Sequence, residues 1–216
     1  MNVELLIRVQ LALECIRINE GGFLERIPCP NPDDIGLLQV YRSGSKYFVF
    51  FRADVGADMI RRVRNLSAKA TFHERARVER MLAEAFPGMT SSKFHTYLFP
   101  HNLNLEQAQG VVTIEKDGRR VFAIVQDGKV VSSCLSVREN AQAGECYVFT
   151  EPEYRCRGYG HRTIIAWAHH LQSLGKLPFY SHEESNWASG AVAKKLGLIP
   201  CFEVVTYNQE SRTVVG

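Results

Sequence analysis

The 216-residue sequence lacks several features that would assign a chain to a large protein class at once. No apolar run approaches the roughly 20 residues of a membrane span, so no membrane partner is predicted. The net charge is only +3, from 26 basic and 23 acidic residues, which argues against nucleic-acid binding through bulk electrostatics. Neither an HExxH motif nor a paired Cys/His spacing occurs, and no metal site is predicted.

The cysteines are scattered along the sequence. The spacing fits neither a zinc site nor a compact disulfide framework, and we therefore predict the reducing cytoplasm as the compartment. A signal peptide is not expected, because Arg8, Gln10 and Glu14 interrupt the apolar pattern of the first residues. The six cysteines are Cys15, Cys29, Cys134, Cys146, Cys156 and Cys201.

Apolar spacing and turn residues predict an α/β (or α+β) fold. In the first half, residues 5–16 have the periodicity of one helix, and residues 37–51 form a hairpin candidate about Ser43-Gly44-Ser45. The polar stretch 87–109 is the predicted seam, which gives an N-terminal region, 1–104, and a second region, 105–216. Further helices are predicted from Asp54 or Asp58 to Leu66 and over 72–86, and a strand over 94–99.

The second half is patterned more clearly. Strands are predicted over 111–115, 120–125 and 129–137, because the dipeptides Asp117-Gly118 and Asp127-Gly128 are strong hairpin signals. A more apolar strand over 146–150 is expected to be central. The remaining predicted elements are helices over 161–174 and 186–196 and strands over 177–180 and 201–207.

Residues 147–160 (YVFTEPEYRCRGYG) are the most informative stretch. They predict a buried strand, a loop rich in arginine and glycine, and a helix that begins at once, which together favour anion binding. A P-loop would need a Gly-Lys-Ser/Thr ending, and a dinucleotide fingerprint would need glycine where Thr163 stands. A pyrophosphate loop built on backbone N–H groups fits better; the plain alternative is a surface turn.

The motif Pro152-x-x-Arg155-x-x-Gly158-x-Gly160 resembles the acetyl-CoA-binding motif of the GNAT N-acyltransferase superfamily, Gln/Arg-x-x-Gly-x-Gly/Ala. Downstream, Asn186-Trp187-Ala188-Ser189 and Lys194-Lys195-Leu196-Gly197-Leu198 are similar to that family's Asn-x-x-Ala…Lys-Leu-Gly-Phe. The resemblance covers about 111–207. It implies a GNAT-type mixed, twisted central sheet flanked by helices. The extra N-terminal α/β region would complete the acceptor pocket or be a degenerate copy of the same fold.

The resemblance implies an enzyme, an N-acetyltransferase that moves an acetyl group from acetyl-CoA, its co-substrate, directly to a primary amine in a ternary complex. The pyrophosphate would lie on backbone N–H groups of the loop and the pantetheine arm beside the central strand. The acceptor could be a small amine, an amino acid or a protein amine. The size of the acyl group also stays open, as does whether the protein forms a homodimer. The implied cofactor-binding residues are Val148, Phe149, Thr150, Arg155, Cys156, Arg157, Gly158, Tyr159, Gly160, His161, Asn186 and Ser189.

The catalytic residues are less clearly marked. Glu145 is the predicted general base, with Glu151 second, although either could be a solvated carboxylate. Many family members place a tyrosine acid where this chain has Ala193, so Tyr180 is the predicted proton donor. Ser181 and His182 are alternatives to it. Two rival functions remain: a CoA-binding sensor or adaptor without turnover, and a nucleotide-phosphate module unrelated to CoA.

Overall fold

The structure is a computed structural model that describes residues 2–28 and 35–209. Its backbone contacts divide into two units. One holds the described residues up to His95 together with 201–209, and the other is Thr96–Pro200. The predicted α/β class is confirmed, since helices flank twisted, mostly antiparallel sheet strands. The functional division into 1–104 and 105–216 stays a prediction.

The first unit packs helices on strands that are not in sequence order. The predicted hairpin is present as β3, Leu38–Ser43, and β4, Lys46–Phe51, and β3 also pairs antiparallel with β11, Ile199–Gln209. Tyr207 is fully buried, and its hydroxyl donates to the Thr71 carbonyl at 2.5 Å. The other elements are α1 (Val3–Leu13), β1 (Ile16–Ile18), β2 (Leu24–Arg26), α2 (Ala57–Arg64), α3 (Ala68–His73), α4 (Arg75–Ala83) and most of β5 (Met89–Leu98).

Three predictions for this unit are wrong in detail. The first helix ends at Leu13, because Cys15 adopts a left-handed φ of 60° and Ile16 begins a strand. The helix predicted over 72–86 is two helices, since Glu74 leaves the helical region at ψ 50°. β5 begins at Met89 rather than at residue 94. The short β1–β2 hairpin was not predicted, although its loop holds the turn signal Gly21-Gly22.

The second unit is the half whose pattern was clearer. Its strands run in the order β10, β9, β8, β7, β6, antiparallel except for the β9–β10 pair. Both predicted Asp-Gly turns are confirmed: Asp127 and Gly128, for example, have φ of 49° and 75°. The elements are β6 (Val112–Lys116), β7 (Arg119–Gln126), β8 (Lys129–Glu139), β9 (Ala143–Thr150), α5 (Tyr159–Ser173), β10 (Leu177–Glu183) and α6 (Trp187–Lys195).

Helix α5 covers one face of this sheet. Its buried side chains Ile164, Trp167, Ala168 and Leu171 pack in one apolar cluster with residues of β7, β8 and β10. The Trp167 indole N–H donates to Ser136 Oγ at 2.9 Å, which satisfies a buried donor. This packing holds the start of α5 beside the end of β9, where the predicted anion loop lies.

Two chain-wide features complete the description. None of the helices within the described ranges is long and apolar enough to cross a membrane. Cys15 is disulfide-bonded, which the scattered cysteine spacing did not predict. Four other cysteines are free thiols: Cys134, Cys146, Cys156 and Cys201.

Candidate functional site

A fork between β9 and β10 forms the centre of the site. The two strands pair in parallel at three positions only, 143–145 with 177–179. Both then continue, β9 to Thr150 and β10 to Glu183, without further pairing to each other. The fork leaves one edge of β9 open over residues 146–150, as an extended ligand with amide groups would require.

The hydrogen-bond pattern shows which residues face this fork. The Glu151 N–H donates to the Val131 carbonyl on the β8 side at 2.9 Å. Because backbone groups alternate along an antiparallel strand, Val148 and Thr150 turn theirs away from β8 and towards the fork. The Thr150 carbonyl already accepts from Arg155 Nε at 3.1 Å, which leaves Val148 as the main backbone contact for a ligand.

The loop after β9 closes on the start of α5. A short 3₁₀ turn, Pro152–Tyr154, leads into it, and Cys156 adopts a left-handed φ of 61°. Gly158 is the N-cap of α5 with φ 79°, a conformation that favours glycine. No side chain among the described residues caps this helix end, so the first backbone N–H groups of α5 are available to an anion.

Gly160 brings the helix close to the strand. A Cβ at this position would lie 3.2 Å from Thr150 Oγ1 and 3.5 Å from Val148 Cγ2. The second glycine of the motif therefore serves helix–strand packing, while the first serves the turn. Together they place the helix N-terminus directly against the open edge of β9.

Basic and aromatic side chains alternate around this helix start. The Arg157 guanidinium lies 5.1 Å from the Tyr154 ring centroid, and that of Arg162 lies 5.7 Å from the Tyr159 ring. The two tyrosines stack at 6.4 Å. This ladder holds two cations beside the loop and adds to the positive end of the helix dipole.

His161 lies in the first turn of α5. Its Nε2 is 3.2 Å from Gln107 Oε1, whereas Nδ1 is buried and has no hydrogen-bond partner among the described residues. Burial, together with the nearby charge of Lys195, lowers the pKa of His161. A neutral ring that donates through Nε2 would leave Nδ1 as a hydrogen-bond acceptor.

Asn186 is the N-cap of α6, just beyond the end of β10. Its side-chain oxygen accepts from the Ser189 N–H at 3.0 Å, so the plain capping role considered for this residue is realised. Whether its amide also binds a ligand stays a prediction. Gly190, one turn into α6, lies against the His182 ring.

Glu145 stands where the fork opens. It is the last β9 residue paired with β10, is only 5% exposed, and its Oε2 lies 2.6 Å from Arg138 Nη1. The ion pair holds the buried carboxylate in a fixed position, but it also stabilises the charged form and so opposes uptake of a proton. Glu151, the second candidate, follows the strand and is half-buried.

Tyr180 follows the last paired residue of β10 and is 3% exposed. Its hydroxyl donates to the Ser189 carbonyl at 3.2 Å, and burial raises the pKa of Tyr180 to about 12. Ala193 is buried in the same apolar cluster, so the position of the missing acid holds only a methyl group. Ser181 Oγ lies 3.2 Å from Thr96 Oγ1, and His182 stacks on Tyr97.

With this geometry established, comparison with known proteins gives a family. Residues 116–207 match the family model for GNAT acetyltransferase. The predicted resemblance to the GNAT family is confirmed over this range. The family match supports transfer of an acyl group from acyl-CoA. No curated protein matches the chain.

Solved GNAT structures resemble the chain in fold. An acetyltransferase from the GNAT family of Colwellia psychrerythraea aligns with a TM-score of 0.52 at 9% identity, over 96% of each chain. A GNAT-family acetyltransferase from Novosphingobium aromaticivorans is 16% identical, with a TM-score of 0.49 over 58% of this chain and 69% of that one. A tandem GNAT protein from the clavulanic acid biosynthesis pathway aligns over 99% and 98% at 12% identity, with a TM-score of 0.44.

The GNAT motifs thus lie on adjoining elements, with β9, the loop and the start of α5 on one side and β10 and α6 on the other. Their ligand-binding roles stay predictions. Sequence reasoning missed four residues beside them: Gln107, Arg138, Arg162 and Lys195. The spacing of three residues from Tyr154 to Arg157 and from Tyr159 to Arg162 could have revealed the paired rings and guanidinium groups. Lys195 and Arg138 come close only through the fold. Within the described ranges, no cluster of three or more metal-ligating side chains occurs.

Proposed function

We propose that the protein is an N-acetyltransferase that moves an acetyl group from acetyl-CoA to a primary amine, by direct transfer in a ternary complex. The observation that supports this best is the fork. An open strand edge at Val148 and an uncapped helix start at Gly158 adjoin one another, as a pantetheine arm and a pyrophosphate on one molecule require. The Arg157–Arg162 pair supplies charge that suits a diphosphate.

The residues present fit this co-substrate. The pyrophosphate would accept hydrogen bonds from the N–H groups of 158–161, and the pantetheine amides would pair with the backbone of Val148. A β9 N–H directed at the thioester carbonyl would act as an oxyanion-type donor, a contribution of roughly 3–4 kcal/mol when such donors are removed in other enzymes. When bound, acetyl-CoA supplies the acetyl group.

Glu145 is our proposed general base. Its position at the opening of the fork suits a carboxylate that removes the amine's proton, directly or through one water. Arg138 would hold the carboxylate in place. The cytoplasm stays the proposed compartment on the sequence argument, and the disulfide at Cys15, a bond that is rare in reducing compartments, speaks against it.

Tyr180 stays the proposed proton donor to the departing thiolate, and two features of its surroundings oppose this role. Its hydroxyl would have to turn from the Ser189 carbonyl, and a phenol with a pKa of about 12 releases its proton less readily than free tyrosine. CoA thiolate is a tolerable leaving group, so transfer without this acid is consistent with the geometry.

The buried Ala193 and the engaged Tyr180 favour one second candidate, a CoA-binding sensor or adaptor without turnover. Thermal melting and thiol release separate the two functions. Acetyl-CoA, and neither ATP nor NAD, should raise the melting temperature, with about 2.7 kcal/mol of added stability at a concentration 100 times Kd. A CoA thiol released only when an amine is present supports the enzyme, and binding without release across a broad amine panel supports the sensor.

The Glu145→Gln variant tests the base. We expect kcat to fall by about 10²- to 10⁴-fold while acetyl-CoA affinity is unchanged. The matched control is Glu139→Gln, which removes another carboxylate of the same sheet from an ion pair, with Lys176 at 2.7 Å. Equal kcat values for the two variants would remove Glu145 from the mechanism.

A further inference from the structure

The two faces of β9 carry different side chains. Cys146, Val148 and Thr150 project towards α5, as the approach of Gly160 to Val148 and Thr150 shows. Alternate side chains point to opposite faces of a strand, so Tyr147 and Phe149 project from the other face. They are 53% and 40% exposed, whereas aromatic side chains of this size are usually buried.

These two rings border an apolar surface. Leu135 lies directly opposite Tyr147 on β8, and the small Ser133 lies opposite Phe149. We call these four residues the aromatic face. On the next strand, β7, Val121 and Ala123 lie on the same face but are buried, so the accessible part of the face is on β8 and β9. Adjacent exposed apolar side chains of this kind mark ligand surfaces more often than chance exposure does.

The position of this face relative to the fork gives it a role, which rests on the proposed function. Helix α5 covers the opposite face of β7, β8 and β9, so an amine cannot approach the thioester from there. The exposed Tyr147 lies on the remaining face of β9, two residues beyond the proposed base Glu145. The acceptor's non-reacting part would then rest on the two rings.

Charge on this face limits which amines it accepts. Strand register places Lys116 and Arg119 on the same face as Val121, and Arg138 lies opposite Glu145. Among residues 2–28 and 35–209, these three cationic groups share the face with the carboxylate of Glu145, which Arg138 already pairs. A polyamine or a basic peptide is therefore disfavoured by like charge. The same surplus lowers the pKa of a bound amine and favours its neutral, nucleophilic form.

We propose that the acceptor is a small amine with a single basic nitrogen on an aromatic or similarly apolar body, and that Tyr147 and Phe149 select it. The test compares kcat/KM with acetyl-CoA for 2-phenylethylamine, ethylamine and spermidine. We expect 2-phenylethylamine to exceed ethylamine by about ten- to hundredfold, the effect of burying one ring. Spermidine should be poorer than 2-phenylethylamine.

Variants then assign the preference to the face. Tyr147→Ala should reduce the 2-phenylethylamine to ethylamine ratio about tenfold, and Tyr147→Phe should retain it. The control Val112→Ala changes a side chain that is 43% exposed on the same face but three strands away on β6, and should leave the ratio unchanged. Tyr147→Thr, which retains a strand-forming residue, repeats the test should Tyr147→Ala fold poorly.

The outcomes separate the two proposals. Turnover that favours spermidine or a basic peptide, or an unchanged ratio in a folded Tyr147→Ala variant, overturns the aromatic-face inference and leaves acetyl transfer intact. Absence of both acetyl-CoA binding and thiol release with every amine overturns the proposed function itself, and the inference with it.

Discussion

Gly158 sets the turn that opens α5, and its replacement by alanine gives a prediction in two parts. The residue has φ 79°, a conformation that costs a non-glycine residue about 1–2 kcal/mol. Alanine also lowers the conformational entropy of the unfolded chain, which offsets about 0.4–1 kcal/mol of that cost. We therefore expect Gly158→Ala to lower the free energy of unfolding by about 1 kcal/mol and the melting temperature by about 2–4 °C.

The second part concerns affinity. No atom lies within 4 Å of the position that a Cβ at Gly158 would take, so the stability loss arises from the backbone alone and the methyl group enters open space. Under the proposed function that space receives the pyrophosphate. The Kd for acetyl-CoA should rise about ten- to hundredfold, as expected for the loss of one charge-assisted hydrogen bond.

Gly128 provides the matched control. It has φ 75° and equally open space about its Cβ position, but it lies in the β7–β8 turn. Gly128→Ala should match Gly158→Ala in scanning fluorimetry and retain wild-type affinity in calorimetric titration with acetyl-CoA. Equal acetyl-CoA affinities of the two variants would refute the proposed pyrophosphate site at the start of α5. Unchanged stability of both variants would refute the argument from the positive φ.

Three further predictions use the same assays. Asn186→Ala should cost about 1 kcal/mol of stability while Asn186→Ser retains the cap; acetyl-CoA affinity should fall in both variants, and unchanged affinity in Asn186→Ser would leave the residue as a cap only. Tyr180→Phe should lose about 1 kcal/mol at pH 8 with its hydrogen bond. Because the folded pKa of about 12 exceeds the unfolded value of about 10, wild-type stability should decline from pH 10 to 12. The decline should be smaller in the variant but not absent, since burial also raises the pKa of Tyr41 and of Tyr207; an unchanged kcat would remove Tyr180 as the acid. Burial, followed by the charge of Arg120, lowers the pKa of His170. The unfolded chain therefore binds the proton more readily, stability should fall as the pH drops below about 6.5, and His170→Gln should flatten that fall in urea titrations.

The second unit could be predicted closely from the sequence because its signals are local. The Asp-Gly dipeptides fix two hairpins whatever packs on them, and Gly158 and Gly160 mark a turn and a close approach through backbone properties alone. The first unit was predicted less well. No proline or glycine marks the helix break at Glu74. The left-handed conformation of Cys15 is not predicted by residue propensities.

The site divides in the same way. The residues of the phosphate loop are contiguous in sequence, so a motif could identify them. The Glu145–Arg138 pair depends on the register of β8 against β9, which shifts at an irregularity between Ser136 and Arg138. A periodic pattern does not reveal an extra residue of this kind. The effect of the Lys195 charge on His161 depends on the placement of α6 and cannot be seen in the sequence either.

The register of β9 against β8 decides which residues of β9 face each of the two proposed ligands. Val148 offers its backbone to the fork while Tyr147 and Phe149 offer side chains to the opposite face, and a slip of one residue would exchange the two sets. Two contacts stabilise this alignment on the face of β9 that α5 covers: Ser132 Oγ lies 2.8 Å from Thr150 Oγ1, and Gly160 packs on Val148. The Arg138–Glu145 ion pair stabilises the alignment on the opposite face. Under the proposed function, donor and acceptor specificity are therefore not independent, because both depend on the alignment of β9 with β8.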